Sequence, residues 1–182
     1  MTVDFVDNSY ALVAYIGNGL GRFVEGLCAE LHPKHAHLRA HVSVLPPRPL
    51  HGTEEEAIAE LRRLCSQIVP FEIGFGEVET FLPTTPTVFL RTTLRAYRLR
   101  ELHDLLNTGP LLYTEPLPFM PHVTIAKVDN SSRAAEVRNV SSRHWSEYNG
   151  PRTARIEELT FVRGSGHNWQ DIEPIRLTGI PW

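Results

Sequence analysis

Two short segments share an alternating pattern that constrains the fold more than any other feature of the chain. In residues 38–45 (LRAHVSVL) and 119–128 (FMPHVTIAKV), a histidine stands two positions before a hydroxyl residue, with aliphatic residues between and beyond them. Residues i and i+2 of a β-strand point to the same side. The pattern therefore predicts two strands with one apolar face each, whose opposite face presents an imidazole beside an alcohol.

The order of predicted elements repeats around these two segments. Each half of the chain reads as strand, helix, histidine-bearing strand, helix and strand, and the two histidines, His41 and His122, lie 81 positions apart. We therefore expect an α+β fold in which residues 1–182 form a single bilobal domain. Its two pseudo-symmetric lobes are predicted to consist of mostly antiparallel sheet, with helices outside and a central cleft between the two sheets. Apolar spacing predicts strands at 10–16, 38–45, 71–82, 87–92, 119–128, 155–163 and 171–177, and helices at 20–31, 53–68, 94–106 and 131–140.

Composition and charge exclude several classes of protein. Hydrophobic residues make up 42% of the chain and the formal net charge is −3, which predicts a folded domain with no surface for extended duplex nucleic acid. No run approaches the ~18 apolar residues of a membrane span, and Asp4 and Asp7 stand where a secretory signal would be basic. Cys28 and Cys65 have no disulfide or metal spacing, which indicates a cytoplasmic protein. No long apolar stripe demands a partner, so we expect a monomer.

The tripeptide H-x-[S/T] is a weak signal by itself, because it occurs four times in the chain. At His51 it lies in a loop rich in proline and glycine, and at His144 it follows a predicted helix. Only the other two copies stand in strands with alternating apolar neighbours, and we predict that these two face each other. The candidate pairs are His41 with Ser43, and His122 with Thr124.

The segments HVSV at 41–44 and HVTI at 122–125 resemble the paired H-x-[T/S]-x motifs of the 2H phosphoesterase superfamily, in its 2′-5′ RNA ligase-like branch. The flanking sequences HVSVLPPR and MPHVTIAKV are also similar to that branch, although Ser43 replaces the more usual threonine. The resemblance covers nearly the whole chain. It implies a cyclic phosphodiesterase, active on a 2′,3′-cyclic phosphate or a related 2′-5′ linkage of RNA ends or nucleotides. It further implies two catalytic histidines, two phosphate-binding alcohols and no metal or other cofactor.

The chemistry of a cyclic phosphodiester independently suits two histidines. Its hydrolysis needs a base to deprotonate water and an acid to protonate the leaving oxygen, on opposite sides of phosphorus. An unperturbed imidazole pKa of ~6.5 makes both protonation states accessible near neutral pH. The hydroxyls of Ser43 and Thr124 would donate hydrogen bonds to the non-bridging oxygens as charge grows there. The sequence does not decide which of His41 and His122 is the acid.

Four further residues are candidates for substrate binding. Arg48 follows the first motif in a proline-rich loop, and Arg39 shares the polar face of the first motif strand. The planar guanidinium fork of either arginine is suited to a phosphate or a nucleobase. Phe119 and Tyr15 are placed where an aromatic ring could stack a base, although strand aromatics more often belong to the core.

Alternative interpretations of the sequence stay open. A non-catalytic RNA- or nucleotide-binding module would keep the cleft, and a 2′-5′ RNA ligase would run the same site in reverse. The glycines at 17–21 (GNGLG) follow a strand and open a helix, as in a dinucleotide-binding turn, but their spacing favours a simple tight turn. Four histidines between His32 and His41 are dense enough for a metal site, yet no Asp, Glu or Cys joins them at ligand spacing, so we expect no metal.

Overall fold

A computed structural model describes residues 9–35, 37–165 and 168–180, with only the backbone described for His35. The expectation drawn from Asp4 and Asp7 lies outside these residues. The strands are β1 (Tyr10–Tyr15), β2 (His41–Arg48), β3 (Phe71–Thr80), β4 (Thr87–Thr92), β5 (His122–Lys127), β6 (Thr153–Ile156), β7 (Glu158–Ser165) and β8 (Asn168–Arg176). The α-helices are α1 (Gly19–Leu31), α2 (Glu54–Cys65), α3 (Ala96–Leu106) and α4 (Ser131–Glu147).

The strands form one antiparallel sheet in the order β6-β3-β4-β5-β2-β1-β7-β8. The two motif strands, β2 and β5, are neighbours at its centre, and the strands outside them continue in matched order. Strand β3 follows the first motif along the chain but lies beside β4, and β7 follows the second motif but lies beside β1. The predicted α+β fold with two related halves is therefore confirmed. The prediction of two separate sheets is wrong. The two halves share one continuous sheet, because β2 pairs directly with β5.

The helices pack on one face of this sheet and leave the opposite face to the polar motif residues. Helix α1 contacts β5 and α3 contacts β2, so each of these helices covers the motif strand of the other half. Burying apolar surface in this layer contributes about 25 cal/mol per Å². In residues 9–35, 37–165 and 168–180, no helix has the length and apolar character needed to cross a membrane. The motif strands contribute Val42, Val44, Val123 and Ile125 to the core beneath the helices.

The glycine-rich segment at 17–21 is a tight strand-to-helix turn, as the sequence predicts. The side chain of Asn18 accepts a hydrogen bond from the backbone N–H of Leu20 and caps α1. A Cβ atom at Gly21 would lie 1.8 Å from the carbonyl oxygen of Ile16, so only glycine lets the helix start this close to the strand. These glycines therefore serve the backbone turn.

Several element boundaries differ from those predicted, and the strand predicted at 155–163 is two strands, β6 and β7. Strand β2 continues through Pro46 and Pro47, because its register with β1 is irregular there and prolines are tolerated at such irregularities. Strand β5 begins at His122 instead of at 119, directly after a proline. Helix α4 continues to Glu147 because Trp145 extends its buried stripe by another turn.

Candidate active site

The four motif side chains form a compact group on the open face of the sheet. Strands β2 and β5 are antiparallel, with Val42 opposite Val123. Moving one residue in each direction brings each histidine opposite the alcohol of the other strand, and directly opposed Cβ atoms lie about 4.5–5.5 Å apart. The histidines thus occupy one diagonal of a square and the alcohols the other. The resulting cross-strand neighbours are His41 with Thr124, and Ser43 with His122.

Both histidine rings are oriented by the same hydrogen bond. His41 Nδ1 lies 2.7 Å from the carbonyl oxygen of Arg39, and His122 Nδ1 lies 2.7 Å from the carbonyl oxygen of Met120. A carbonyl oxygen only accepts hydrogen bonds, so Nδ1 is the donor in each ring. This fixes the tautomer and makes Nε2 the nitrogen that exchanges a proton with a substrate. Both neutral rings can therefore act as bases through Nε2, and both protonated rings as acids.

Two phenylalanines surround the ring of His122. Phe81 meets it edge-on with ring centroids 4.9 Å apart, and the centroid of Phe89 lies 5.1 Å away. The pKa of His122 is lowered to about 4, chiefly by burial and also by the positive charges of Lys127 and His41, while the hydrogen bond to Met120 opposes the shift. The imidazole of His122 is therefore neutral at neutral pH when no anion is bound.

The surroundings of His41 also lower its pKa, although its aromatic neighbour is more distant than those of His122. The ring of Tyr15 meets it edge-on at 6.3 Å between centroids. Burial is the main cause that lowers the pKa of His41, and the charges of Lys127 and Arg39 act in the same direction. An anion bound between the two histidines would raise both pKa values, because a negative charge favours imidazolium. Binding of an anion at this site would therefore be coupled to uptake of a proton.

Lys127 is a charged residue of this site that sequence reasoning missed. The register of β5 with β4 shifts between Thr124 and Ala126, so Ile125 is an extra residue in a β-bulge. Ile125 and Ala126 are both buried, and Lys127 returns to the histidine face. Its charge lowers the pKa of both motif histidines, which places the ammonium group near each of them. The available signal was the pair of consecutive apolar residues after the alcohol, which breaks strict alternation.

The expectation that Arg48 contacts substrate is corrected by the structure. Arg48 is 1% exposed and lies within the core. Its guanidinium donates hydrogen bonds to the carbonyl oxygens of Pro46 and Leu111 and to Oδ1 of Asn107. It also forms an ion pair with Glu115. The planar fork therefore binds the protein's own loop. Local sequence patterns do not reveal this contact, because the acidic partner is distant along the chain.

Phe119 lies immediately before the second motif but belongs to its supporting loop. Its ring stacks on His103, with centroids 4.1 Å apart and an interplanar angle of 9°. His103 Nε2 in turn donates a hydrogen bond to the carboxylate of Glu115 at 2.9 Å. Phe119 therefore helps to fix the backbone of Met120, whose carbonyl oxygen orients the second histidine.

Arg39 lies beside the first histidine, as the sequence predicts. Its guanidinium carbon is 3.7 Å from the centroid of the Tyr15 ring. The Tyr15 hydroxyl donates a 2.5 Å hydrogen bond to Asp171, whose other carboxylate oxygen is 3.8 Å from Arg39. Tyr15 stands directly opposite His41 in the β1–β2 ladder. The three side chains therefore form a connected unit at the edge of the motif group.

Two cavities of similar size are lined by residues that neighbour the histidines in the sheet, although neither histidine lines them. One, of about 500 Å³, is lined by Tyr15, Arg39 and Asp171 beside the first histidine. The other, of about 490 Å³, is lined by Arg91 and Met120 beside the second. Arg91 stands opposite the second histidine in the β4–β5 ladder, so this cavity also opens next to the motif group. Each cavity therefore begins at a cross-strand neighbour of one histidine.

The structure offers no ready metal centre in the residues that it describes. No group of three or more His, Cys, Asp or Glu side chains within 9–35, 37–165 and 168–180 is positioned to hold a metal ion. The side chain of His35, which belongs to the histidine-rich segment considered above, lies outside the described residues.

Comparison with known proteins identifies the family. Residues 18–168 match the sequence model of the family described as the 2′-5′ RNA ligase superfamily. The chain belongs to this superfamily. A relative from Oceanobacillus iheyensis named "Putative phosphoesterase" is 35% identical over 75 residues, which cover 41% of this chain and 44% of the relative. The chain spans about half the length of the curated relatives that it matches.

Solved structures support the same fold for the superfamily. A Thermus thermophilus protein matches with a TM-score of 0.64 and 18% identity, over 94% of this chain and 98% of that protein. LigT of E. coli, solved with NADP+, matches with a TM-score of 0.60 and 15% identity over the same shares. LigT has also been solved with 3′-AMP and with phosphate. At these identities the likeness concerns the fold alone.

Proposed function

We propose that this chain is a metal-independent phosphoesterase that opens 2′,3′-cyclic phosphates, or cleaves related 2′-5′ linkages, of RNA ends or nucleotides. The observation that carries the proposal is the matched pair of Nδ1 hydrogen bonds, which leaves Nε2 of His41 and of His122 for acid–base chemistry on one face of the sheet. Membership of the 2′-5′ RNA ligase superfamily and relatives named as phosphoesterases support it.

The proposed reaction needs one proton transfer at each histidine, to the base and from the acid. One neutral imidazole takes a proton from water through Nε2 while the water oxygen forms a bond to phosphorus. The bond from phosphorus to one ribose oxygen breaks, and the other imidazole, protonated, donates its Nε2 proton to that oxygen. The product is a phosphomonoester, a 2′-phosphate when the 3′ oxygen leaves. Each positioned proton transfer accelerates such a reaction by roughly 10²–10⁴-fold.

The remaining polar groups of the site stabilise the negative charge that develops on the phosphate oxygens. Ser43 and Thr124 are half-buried on the histidine face, where their hydroxyls can donate to the non-bridging oxygens. The charge of Lys127, which reaches both histidines, stabilises the extra negative charge of the pentavalent transition state. Binding of 3′-AMP and phosphate by the structural neighbour LigT agrees with a substrate of nucleotide size.

The test is turnover of 2′,3′-cyclic AMP by the wild-type chain, with the product identified as the 2′- or the 3′-phosphate. The variants His41→Ala and His122→Ala are each expected to lose turnover by at least about 10²-fold while keeping the wild-type fold. His144→Ala is a matched control, because His144-Trp145-Ser146 repeats the tripeptide on α4, away from the motif strands.

The outcomes separate the alternatives. Hydrolysis that depends on both motif histidines supports the proposal. Binding of the nucleotide without turnover at any pH would contradict it in favour of a non-catalytic binding module. Joining of RNA halves through a 2′-5′ linkage, without net hydrolysis, would contradict it in favour of a ligase.

A further inference from the structure

The cavity beside His41 is built differently from the cavity beside His122. Its wall contains the connected unit of Tyr15, Arg39 and Asp171. The other cavity has an arginine, Arg91, but the described residues that line it include no aromatic ring. Two cavities of nearly equal volume therefore offer different chemistry to the two sides of a bound phosphate.

Arg39 is held flat against an aromatic ring. Its guanidinium carbon lies 3.7 Å from the centroid of Tyr15, which is the spacing of a face-on stack. Asp171 holds both partners, because it accepts a hydrogen bond from the Tyr15 hydroxyl and lies 3.8 Å from Arg39. The Arg39 side chain is nevertheless 58% exposed. One face of the guanidinium is thus covered by Tyr15, and the exposed side chain lines the cavity.

A planar cation held in this way is suited to stack against a nucleobase. Single-stranded nucleic acids are commonly bound by stacking of bases on aromatic rings or on arginine guanidinium planes. Cavities of roughly 300–1,000 Å³ accommodate small organic ligands, and this one is about 500 Å³. Arg39 precedes His41 by two residues, about 7 Å of extended chain. That separation is comparable with the ribose that links a base to its phosphate.

We propose that the nucleobase of the substrate stacks on the outer face of the Arg39 guanidinium, so that its nucleoside occupies the cavity beside His41. This assignment rests on the proposed function, since it assumes a nucleotide phosphate between the two histidines. Asp171 and Tyr15 act by holding the guanidinium plane in position. The cavity beside His122 then receives whatever lies on the other side of the phosphate.

The experiment compares a cyclic nucleotide with the same phosphate lacking a base. The probes are 2′,3′-cyclic AMP and methyl ribofuranoside 2′,3′-cyclic phosphate, and the quantity measured is the ratio of their kcat/KM values. Arg39→Ala is expected to lower this ratio about tenfold, chiefly through a higher KM for cyclic AMP, because base stacking contributes about 1–3 kcal/mol. The ratio cancels the effect of the Arg39 charge on the pKa of His41, which acts on both substrates.

Two further variants separate stacking from simple charge. Arg39→Lys keeps the cation but loses the plane, so it is expected to lower the ratio nearly as much as Arg39→Ala. Arg155→Ala is a matched control, because Arg155 lines the same cavity and pairs with Glu157 but is not stacked on Tyr15. It is expected to keep the wild-type ratio. An unchanged ratio in Arg39→Ala, or full recovery in Arg39→Lys, would overturn the proposal.

Binding measured without turnover distinguishes the two proposals. Titration calorimetry with adenosine 2′-phosphate and with ribose phosphate directly gives the contribution of the base to the binding affinity. If wild type hydrolyses no cyclic phosphate but binds adenosine 2′-phosphate with an affinity that depends on Arg39, the stacking site stands and the proposed reaction fails. If hydrolysis occurs but the base contributes equally in wild type and Arg39→Ala, the reaction stands and the stacking site fails.

Discussion

Lys127 and Pro46 occupy equivalent positions on the two motif strands, each five residues after its histidine and each directly beyond a β-bulge. In β2 the extra residue is Val44, and in β5 it is Ile125. Both bulges bury two consecutive residues and return the next one to the histidine face. The two half-sites are therefore alike in backbone, but the equivalent position carries a cation only in β5.

The asymmetry predicts a specific effect of removing that cation. Lys127→Met is expected to lower kcat/KM for 2′,3′-cyclic AMP by about 10²-fold, because one charge-stabilising group of the transition state is lost. The same change raises the pKa of both histidines, so the pH–rate profile of kcat/KM should move to higher pH. Lys127→Arg should retain most of the activity.

Lys34→Met serves as a control for this prediction, since Lys34 is an exposed lysine outside the motif strands. It is expected to leave both the rate and the pH profile unchanged. A Lys127→Met variant with the wild-type profile would show that the ammonium group acts elsewhere.

The depressed pKa of His122 predicts a loss of stability at acidic pH. The unfolded chain takes up this proton near pH 6.5, whereas the folded chain resists protonation until about pH 4. The folded state is therefore penalised as the pH falls from 6.5 towards 4, by about 2 kcal/mol between pH 7 and 5. In His122→Gln this contribution should disappear, so that the variant loses less unfolding free energy than wild type over the same interval.

Denaturant unfolding at pH 7 and at pH 5 checks this prediction. His144, which lies on α4 away from the motif strands, provides the matched control, and His144→Gln is expected to lose as much stability as wild type between the two pH values. An equal loss in wild type and His122→Gln would mean that the His122 ring is protonated in the folded protein near its ordinary pKa.

The buried ion pair of Arg48 and Glu115 predicts a large effect on stability. Arg48→Met leaves the Glu115 carboxylate without its cation in a nearly buried position, and such a loss typically costs about 3–5 kcal/mol. The exposed pair of Arg133 and Glu136 is the control, for which Arg133→Met should cost no more than about 1 kcal/mol. The measurement is the free energy of unfolding in urea.

If Arg48→Met fails to fold, the double variant Arg48→Met, Glu115→Leu keeps the test decisive. Removing both charges should recover a folded protein, because no unpaired carboxylate then stays buried. Equal losses in the buried and the exposed single variants would contradict the role assigned to this pair.

Much of the architecture followed from local patterns. Alternation at His41 and His122 predicted both motif strands and the face that each histidine occupies, since side-chain direction in a strand depends only on parity. The repeated order of elements predicted two related halves. The single sheet did not follow, because the direct pairing of Val42 with Val123 is a long-range contact with no local signature.

The site residues that escaped prediction depend on the same kind of long-range information. Lys127 reaches the histidine face only through a bulge, which reverses the parity that alternation assumes. Arg48 has the sequence context of an exposed loop residue, and its burial follows from Glu115, 67 residues further along the chain. The placement of side chains near the motifs was therefore predictable where parity held and not where a bulge or a distant partner intervened.

The most direct test of the acid–base assignment compares two leaving groups in the two histidine variants. The substrates are 2′,3′-cyclic AMP, whose leaving ribose oxygen needs a proton, and a p-nitrophenyl phosphodiester of adenosine, whose leaving phenolate does not. We predict that His41→Ala and His122→Ala both lose cyclic AMP turnover by at least about 10²-fold. One of the two, the variant lacking the acid, should regain most of its activity with the p-nitrophenyl ester. Wild-type turnover of cyclic AMP in either variant, or equal impairment of both variants with both substrates, would contradict the assignment.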